Sequence, residues 1–291
     1  MKQQSIKEER RKLRMKALAG SMDDQFRLAE SYDFDSPKDR KRAVYWYKKT
    51  ALQGHVVAQN SLGECYREGE GCEQNFKEAI KWIKLSAQQG NHEAQCSLGY
   101  AYRYGEGIKR DFSEMIRWYT RSAHRGNERA QANIGRCYRD GTGVLMDDKK
   151  AVWWFTKAAK NGSSAAQRLL GQAYHYGYGV RKNFRKAFYW YKKSAEQTDI
   201  EAIRGVGICY HNGNGVKQDF KKSVNCYRIA AQNNDSWAQY FLGLSYKAGE
   251  GVRKDGRLAL SWFNKAYNNG LKKARKEIEQ LTNFKDRESN V

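Results

Sequence analysis

Apolar side chains recur along this chain at the spacing of one helix face, and the whole pattern repeats every 36 residues. Ala58, Leu62 and Tyr66 lie four residues apart, which predicts the buried face of a first helix. A second buried face, at i, i+3, i+4 and i+8, is predicted by Ala79, Trp82, Ile83 and Ala87. No segment sustains the apolar–polar alternation of a strand, so each unit is predicted to consist of two helices.

The 36-residue unit occurs in six clear copies without an insertion. The segment AQNSLGECYREGEG at 58–71 is followed by AQCSLGYAYRYGEG at 94, and matching segments begin at 130, 166, 202 and 238. A Gly-x-Gly pair closes each first helix, because glycine tolerates the positive φ of a tight turn. An N-cap for each second helix is then predicted at Asn75, Asp111, Asp147, Asn183, Asp219 and Asp255.

A glycine also stands inside each first helix, as Gly63 does beside Leu62. A glycine there costs about 1 kcal/mol relative to alanine, so we predict that the partner helix approaches closely at this point. One helix pair cannot bury its apolar stripe alone. Successive pairs are therefore predicted to stack into an all-α solenoid.

Four segments are predicted along the chain. They are a basic N-terminal helix or arm at 1–21, a degenerate first repeat at 22–57, six repeats at 58–273, and a C-terminal capping helix with a polar tail at 274–291. The degenerate repeat has Asp33 and Asp35 where the later copies have glycine.

The pattern A-x-x-x-L-G-x-x-Y-x-x-G-x-G-V-x-x-D, followed by A-x-x-W and A-A-x-x-G, resembles the Sel1-like repeat, a relative of the tetratricopeptide repeat. The resemblance covers about residues 22–281. It implies a right-handed α/α superhelix of about six to seven helix-turn-helix repeats with a concave, ligand-facing surface. It also implies a non-catalytic role as a scaffold or adaptor that mediates protein–protein interactions.

Composition and charge narrow the class of partner. The chain has 291 residues, 40% of them hydrophobic, which excludes a wholly disordered protein. Its formal net charge is +22, of which residues 94–273 carry +18 and residues 1–20 carry +5. This distribution predicts an acidic partner that lies along the later repeats.

The residue after the repeat tyrosine is basic or titratable in every clear copy, and further arginines and tyrosines share its stripe on the helix. This set, called the basic ladder below, consists of Arg103, Arg139, His175, His211, Lys247, Arg136, Arg168, Arg204, Tyr100, Tyr104, Tyr176 and Tyr240. The stripe lies opposite the predicted buried face, so we expect it outside the core. We interpret it as a binding surface for an acidic protein segment. The alternatives are a solvated helix face and a surface for the phosphate backbone of a nucleic acid.

The N-terminal basic run from Lys7 to Lys16 predicts either a helix that caps the array or an arm that lies on an acidic surface. No secretory signal and no membrane span are predicted, because no apolar stretch is long enough. The six cysteines are therefore expected to be reduced thiols in a cytoplasmic protein. The oligomeric state is left open.

No enzyme class is predicted, since the chain lacks G-x-S-x-G, H-E-x-x-H and G-x-x-x-x-G-K-[ST]. Some cysteine-rich relatives are reported as β-lactam-binding hydrolases with a cysteine pair in each repeat, whereas only Cys65 and Cys72 are so spaced here. His175 and His211 occupy equivalent positions but lack a third ligand for zinc. We therefore predict no catalytic, cofactor-binding or metal-binding residues.

Overall fold

Every element of the computed structural model, which describes residues 2–32 and 36–288, is an α-helix or a turn between two helices. The chain divides into two compact units, residues 1–146 and 147–291. The prediction of an all-α fold of helix-turn-helix repeats is confirmed. Asp33, Asp35 and the end of the predicted polar tail, residues 289–291, lie outside the described residues.

The helices follow the 36-residue period in both units. Those of the first unit are α1 (Lys2–Leu18), α2 (Met22–Glu30), α3 (Pro37–Leu52), α4 (Val56–Glu68), α5 (Phe76–Gln88), α6 (His92–Tyr104), α7 (Phe112–His124) and α8 (Glu128–Asp140). Those of the second unit are α9 (Asp148–Lys160), α10 (Ser164–Tyr176), α11 (Phe184–Ala195), α12 (Ile200–Asn212), α13 (Phe220–Gln232), α14 (Ser236–Ala248), α15 (Gly256–Asn268) and α16 (Ala274–Glu288).

The polar residues predicted to begin the second helices do so. Asn75 accepts a hydrogen bond from the Glu78 amide at 3.1 Å, and the other five predicted N-caps make the equivalent contact. A further series, not predicted, caps the first helices: His55, Asn91, Asn127, Ser163, Asp199 and Asp235. Each N-cap satisfies a backbone donor that has no partner inside its helix.

The glycine inside the first helix marks a close helix crossing, as predicted. A Cβ atom added to Gly171 would lie 2.7 Å from Cδ1 of Tyr191, and one added to Gly63 would lie 2.5 Å from Cγ1 of Ile83. Any side chain at this position would collide with the second helix. Glycine therefore lets a side chain of the second helix, such as the ring of Tyr191, pack directly against the backbone of the first helix.

The predicted buried faces form the core, except that Tyr66 is only partly buried at its edge. Ala58 and Leu62 of α4 are fully buried, and so is Ile83 of α5, while Trp82 keeps 7% of its surface exposed. The tryptophan at this position is likewise buried at Trp46, Trp118 and Trp154. These residues build a core layer between consecutive helices rather than a pocket for a ligand.

A glutamine in the first turn of most first helices joins its helix to the preceding one. Its Nε2 donates to the backbone carbonyl eight residues earlier, and we call these contacts the glutamine links: Gln25–Ala17, Gln59–Ala51, Gln95–Ala87, Gln131–Ala123, Gln167–Ala159 and Gln239–Ala231. In several repeats the same glutamine accepts a second bond through Oε1, for example from Gln197 to Gln167 at 2.9 Å. The fifth clear repeat has Ile203 at this position and lacks the link.

Candidate functional site

In the first unit, the basic ladder contains a cluster of two tyrosines and an arginine on α6. The guanidinium of Arg103 lies 5.6 Å from the ring centroid of Tyr104, and the Tyr104 ring lies 4.4 Å from that of Tyr100. Tyr104 is 56% exposed and Tyr100 is 38% exposed. Arg103 forms no ion pair with any side chain that the structure describes. The cluster therefore offers both a cation and two aromatic faces to a partner.

The other first-unit cations lie beside carboxylates. Arg139 Nε donates to Asp140 Oδ1 at 2.7 Å, and this hydrogen bond holds the pKa of Asp140 below its usual value. Arg103 and Arg136 add to the positive potential that stabilises this carboxylate. Arg67, one repeat earlier, pairs with Glu64 and Glu68. Arg139 thus has a counter-ion within its own helix, in contrast to Arg103.

In the second unit, the side chains of Arg168 and Arg204 are only 13% and 18% exposed, which is less than a position outside the core leads one to expect. Arg168 pairs with Asp199 at 3.2 Å and with Glu201 at 3.0 Å. Arg204 pairs with Asp235 at 2.5 Å and, more distantly, with Glu201. Since Asp199 and Asp235 cap the next first helices, these arginines join adjacent repeats.

Tyr240 also departs from the expectation, because it is a core residue with 5% of its surface exposed. Its ring packs against Phe263 at 5.6 Å, and the Nζ of Lys273 lies 5.2 Å from the ring centroid. The last turn before α16 covers a ring that would otherwise lie on the open stripe. Burial raises the pKa of Tyr240 above its usual value.

Lys247 and His211 contact acidic residues of the second unit. Lys247 Nζ lies 2.6 Å from Glu277 Oε2 and 3.0 Å from Gln280 Oε1, both on α16. His211 Nδ1 lies 3.8 Å from Glu250, and its ring packs edge-on against Phe220. His211 and His175 are therefore held in separate surroundings.

His175 lies half-buried among aromatic rings. Tyr176 is 4.7 Å away and Phe184 is 5.3 Å away between centroids, and Nδ1 of His175 is buried without a hydrogen-bond partner among the described residues. Burial, followed by the charge of Lys182, lowers the pKa of His175. This imidazole is therefore neutral at pH 7 and adds no positive charge to the ladder.

A pair of exposed tyrosines lies next to His175. Tyr176 and Tyr178 stack with centroids 5.6 Å apart and an interplanar angle of 29°, and each exposes more than half of its surface. Tyr178 is absent from the predicted ladder. The sequence alone could have identified Tyr178 as unusual. It stands between Gly177 and Gly179, where the other copies have a polar residue, Glu, Thr or Asn.

Other kinds of site receive no support from the described residues. No group of three or more potential metal ligands comes together among them. None of their helices combines the length and the apolar content that crossing a bilayer requires. Cys65 and Cys72 are free thiols, and burial raises the pKa of Cys65 to about 12.

Comparison with known proteins agrees with this repeat architecture. A family model described as the Sel1 repeat matches residues 23–55, 56–91, 92–127, 128–163, 164–199, 200–235 and 238–271. A protective antigen of uropathogenic Escherichia coli with an SLR fold is 32% identical with a TM-score of 0.82, and the alignment covers 94% of this chain and 59% of the antigen. A Sel1 repeat protein from Oxalobacter formigenes is 30% identical with a TM-score of 0.71, over 79% of this chain and 92% of that one. No curated protein matches the chain.

Proposed function

We propose that this chain, which belongs to the Sel1 repeat family, is a non-catalytic scaffold that holds an acidic segment of a partner protein. Proteins of this family generally serve as scaffolds for protein interactions. The proposal adds the chemistry of the partner and the residues that contact it.

The observation that carries the proposal is the arrangement of Arg103 and Tyr104. The guanidinium lies near the ring and forms no ion pair with a described side chain, although Asp140 is within its electrostatic range, while the ring is more than half exposed. A carboxylate of a partner would supply the counter-ion of Arg103, and the tyrosine would provide apolar contact area at little entropic cost. Arginine and tyrosine are frequent among the residues that dominate binding energy.

In the second unit, the exposed part of the basic ladder consists more of aromatic rings than of unpaired cations. Tyr176 and Tyr178 are exposed and stacked, and Lys182 lies near enough to depress the pKa of His175. The ion pairs of Arg168, Arg204 and Lys247 mean that binding would rest on a few separate contact points instead of a continuous basic row.

This pattern favours a protein partner over the alternative, a nucleic acid. A surface that follows a phosphate backbone needs a row of cations whose counter-ions are released on binding. Arg168, Arg204 and Lys247 have carboxylate partners within the chain. A cytoplasmic setting fits the six cysteines, which are all free.

The test compares two matched double variants of the full chain. In one, Arg103→Glu and Tyr104→Ala change the proposed contact. In the other, Lys84→Glu and Leu85→Ala make the same change of charge and also truncate an exposed apolar side chain, on α5. Each variant is titrated against a fluorescent decapeptide rich in glutamate and against its glutamine counterpart, and fluorescence anisotropy is recorded.

We expect the acidic peptide to bind and the glutamine peptide not to bind. The Arg103/Tyr104 variant should lose at least about tenfold in affinity, whereas the α5 variant should retain it. Equal binding by both variants would refute the proposed contact. Affinity capture with and without nuclease adds a second readout, because loss of all captured material on nuclease treatment would favour the nucleic-acid alternative.

A further inference from the structure

A cavity of about 610 Å³ lies at the N-terminal end of the first unit, on helices remote in sequence from the Arg103–Tyr104 contact. Five cations line it: Arg10, Arg11 and Arg14 from α1, and Lys41 and Arg42 from α3. A volume of this size is typical of sites for small ligands. The clustering of like charges around it costs electrostatic energy unless an anion compensates it.

The cations that line this cavity differ in whether a carboxylate of the chain pairs with them. Arg10 and Arg42 share the carboxylate of Asp39 at 3.1 and 2.9 Å. Arg11, Arg14 and Lys41 form no ion pair with any side chain in the described part of the chain. Among the described side chains, the cations that line the cavity therefore outnumber the one carboxylate that pairs with them.

Arg10, which lines the cavity, also has a buried donor without a partner in the part of the chain that the structure describes. Arg10 donates through Nη2 to the carbonyl of Ser31 and stacks over Tyr32 at 4.9 Å, which fixes its guanidinium. Its Nε is buried and has no hydrogen-bond partner among the described residues. A buried donor without an acceptor is costly.

Aromatic rings complete the wall. Tyr45 is 60% exposed and lines the cavity, with its ring edge-on to the buried indole of Trp46 at 5.3 Å. A planar group could stack on the free face of Tyr45 while anionic groups reach the cations of α1 and α3. The planar guanidinium group of arginine can donate two parallel hydrogen bonds to the oxygens of one phosphate.

We propose that this cavity is a binding site for a nucleoside polyphosphate, with the phosphates held by Arg11, Arg14 and Lys41 and the base stacked on Tyr45. The pocket is open to solvent on one side, and its volume is within the range of sites that accept a small molecule. The ligand is bound and not consumed, and its site is separate from the surface proposed for the protein partner.

The test is calorimetric titration of the full chain with ATP, ADP, AMP, adenosine and inorganic tripolyphosphate, at about 0.15 M salt so that diffuse charge effects are screened. We expect one ATP per chain and affinity that falls from ATP to ADP to AMP. Adenosine should not bind, and tripolyphosphate should bind more weakly than ATP. The absence of saturable ATP binding would overturn the proposal.

Variants separate the two parts of the site. Arg11→Gln with Arg14→Gln should weaken ATP binding at least about tenfold, because charge-assisted hydrogen bonds to phosphate are lost. Tyr45→Ala should weaken ATP and leave tripolyphosphate unchanged. The matched control, Lys77→Gln with Lys84→Gln on α5, removes the same charge and should bind ATP as the natural chain does.

Two outcomes would refute these assignments. Equal weakening by the α5 control would show a diffuse charge effect and no site, and an unaltered ATP affinity in Tyr45→Ala would refute base stacking. Circular dichroism checks the fold of each variant. If the double variant does not fold, Arg14→Lys retains the charge and removes the fork, and it should still weaken ATP binding measurably.

Discussion

The guanidinium of Arg204 lies 2.5 Å from the carboxylate of Asp235, which caps the next first helix of the second unit. Asp235 accepts from the amide of Ala238 at the same time and is only 8% exposed at its side chain. The arginine is therefore part of the junction between two repeats, although the sequence assigns it to partner binding.

This junction predicts opposite roles for two arginines of the basic ladder. Arg204→Met should lower the free energy of unfolding by about 1–3 kcal/mol, because it leaves the carboxylate of Asp235 buried without its charged partner. Arg103→Met should change stability by less than about 0.5 kcal/mol, since that side chain forms no ion pair among the described residues. Urea denaturation of both variants measures the difference. Equal stability of the two would contradict the assignment of Arg204 to the repeat junction.

Gly171→Ala is expected to destabilise the chain. The new methyl group would lie 2.7 Å from the Tyr191 ring, and overpacking of this kind costs about 1–3 kcal/mol, partly offset by the better helix propensity of alanine. Gly256→Ala is the matched control, because nothing lies within 4 Å of its Cβ position, and it should stabilise by about 0.5 kcal/mol. Thermal unfolding should show a lower midpoint temperature for Gly171→Ala and a higher one for Gly256→Ala. A higher midpoint for Gly171→Ala would rule out the close crossing of the two helices.

His175 gives stability a pH dependence. Burial lowers its pKa below the usual 6.5, so the unfolded chain takes up a proton more readily than the folded chain does. The free energy of unfolding should therefore fall as the pH drops through about 6.5. His175→Gln removes the titrating group, and its urea midpoint should change less between pH 7.5 and 5.5 than that of the natural chain. An identical change in both proteins would show that His175 does not contribute.

Cys72 should be the first cysteine to react with iodoacetamide at pH 8. Burial raises the pKa of Cys65, Cys96 and Cys209 to about 12, so these thiols stay protonated and enclosed. Burial also raises the pKa of Cys72, but its side chain is only partly covered. Since the thiolate is the reactive form, labelling followed by peptide mass spectrometry should find Cys72 modified first. Prior modification of a fully buried cysteine would contradict the packing around α4 and α6.

The regular features of the fold were predictable because each one repeats. A single glycine inside a helix is ambiguous, but six glycines in register indicate a common close crossing, and the contact of Gly171 with Tyr191 confirms it. The Asn and Asp caps of the second helices could be identified for the same reason. The seven family matches agree with this interpretation of the period.

The ladder was harder to predict because helical spacing gives the direction of a side chain and not its neighbours. Tyr240 shares a stripe with Lys247, yet the segment before α16 covers its ring. Arg168–Asp199 and Arg204–Asp235 have the same separation of 31 residues, and this shared spacing was the available signal for ion pairing. Whether Arg103 and Tyr104 bind a partner stays a prediction.

The glutamine links all point toward the N-terminus. Each glutamine side chain donates to a carbonyl made eight residues earlier, and Gln197 donates to a glutamine made 30 residues earlier. For these hydrogen bonds, a repeat that leaves the ribosome therefore finds its acceptors already synthesised, whereas the ion pairs of Arg168 and Arg204 form only once the next repeat has followed. Assembly of such an array can keep pace with translation, so that only the newest helix pair is exposed as an unfinished edge.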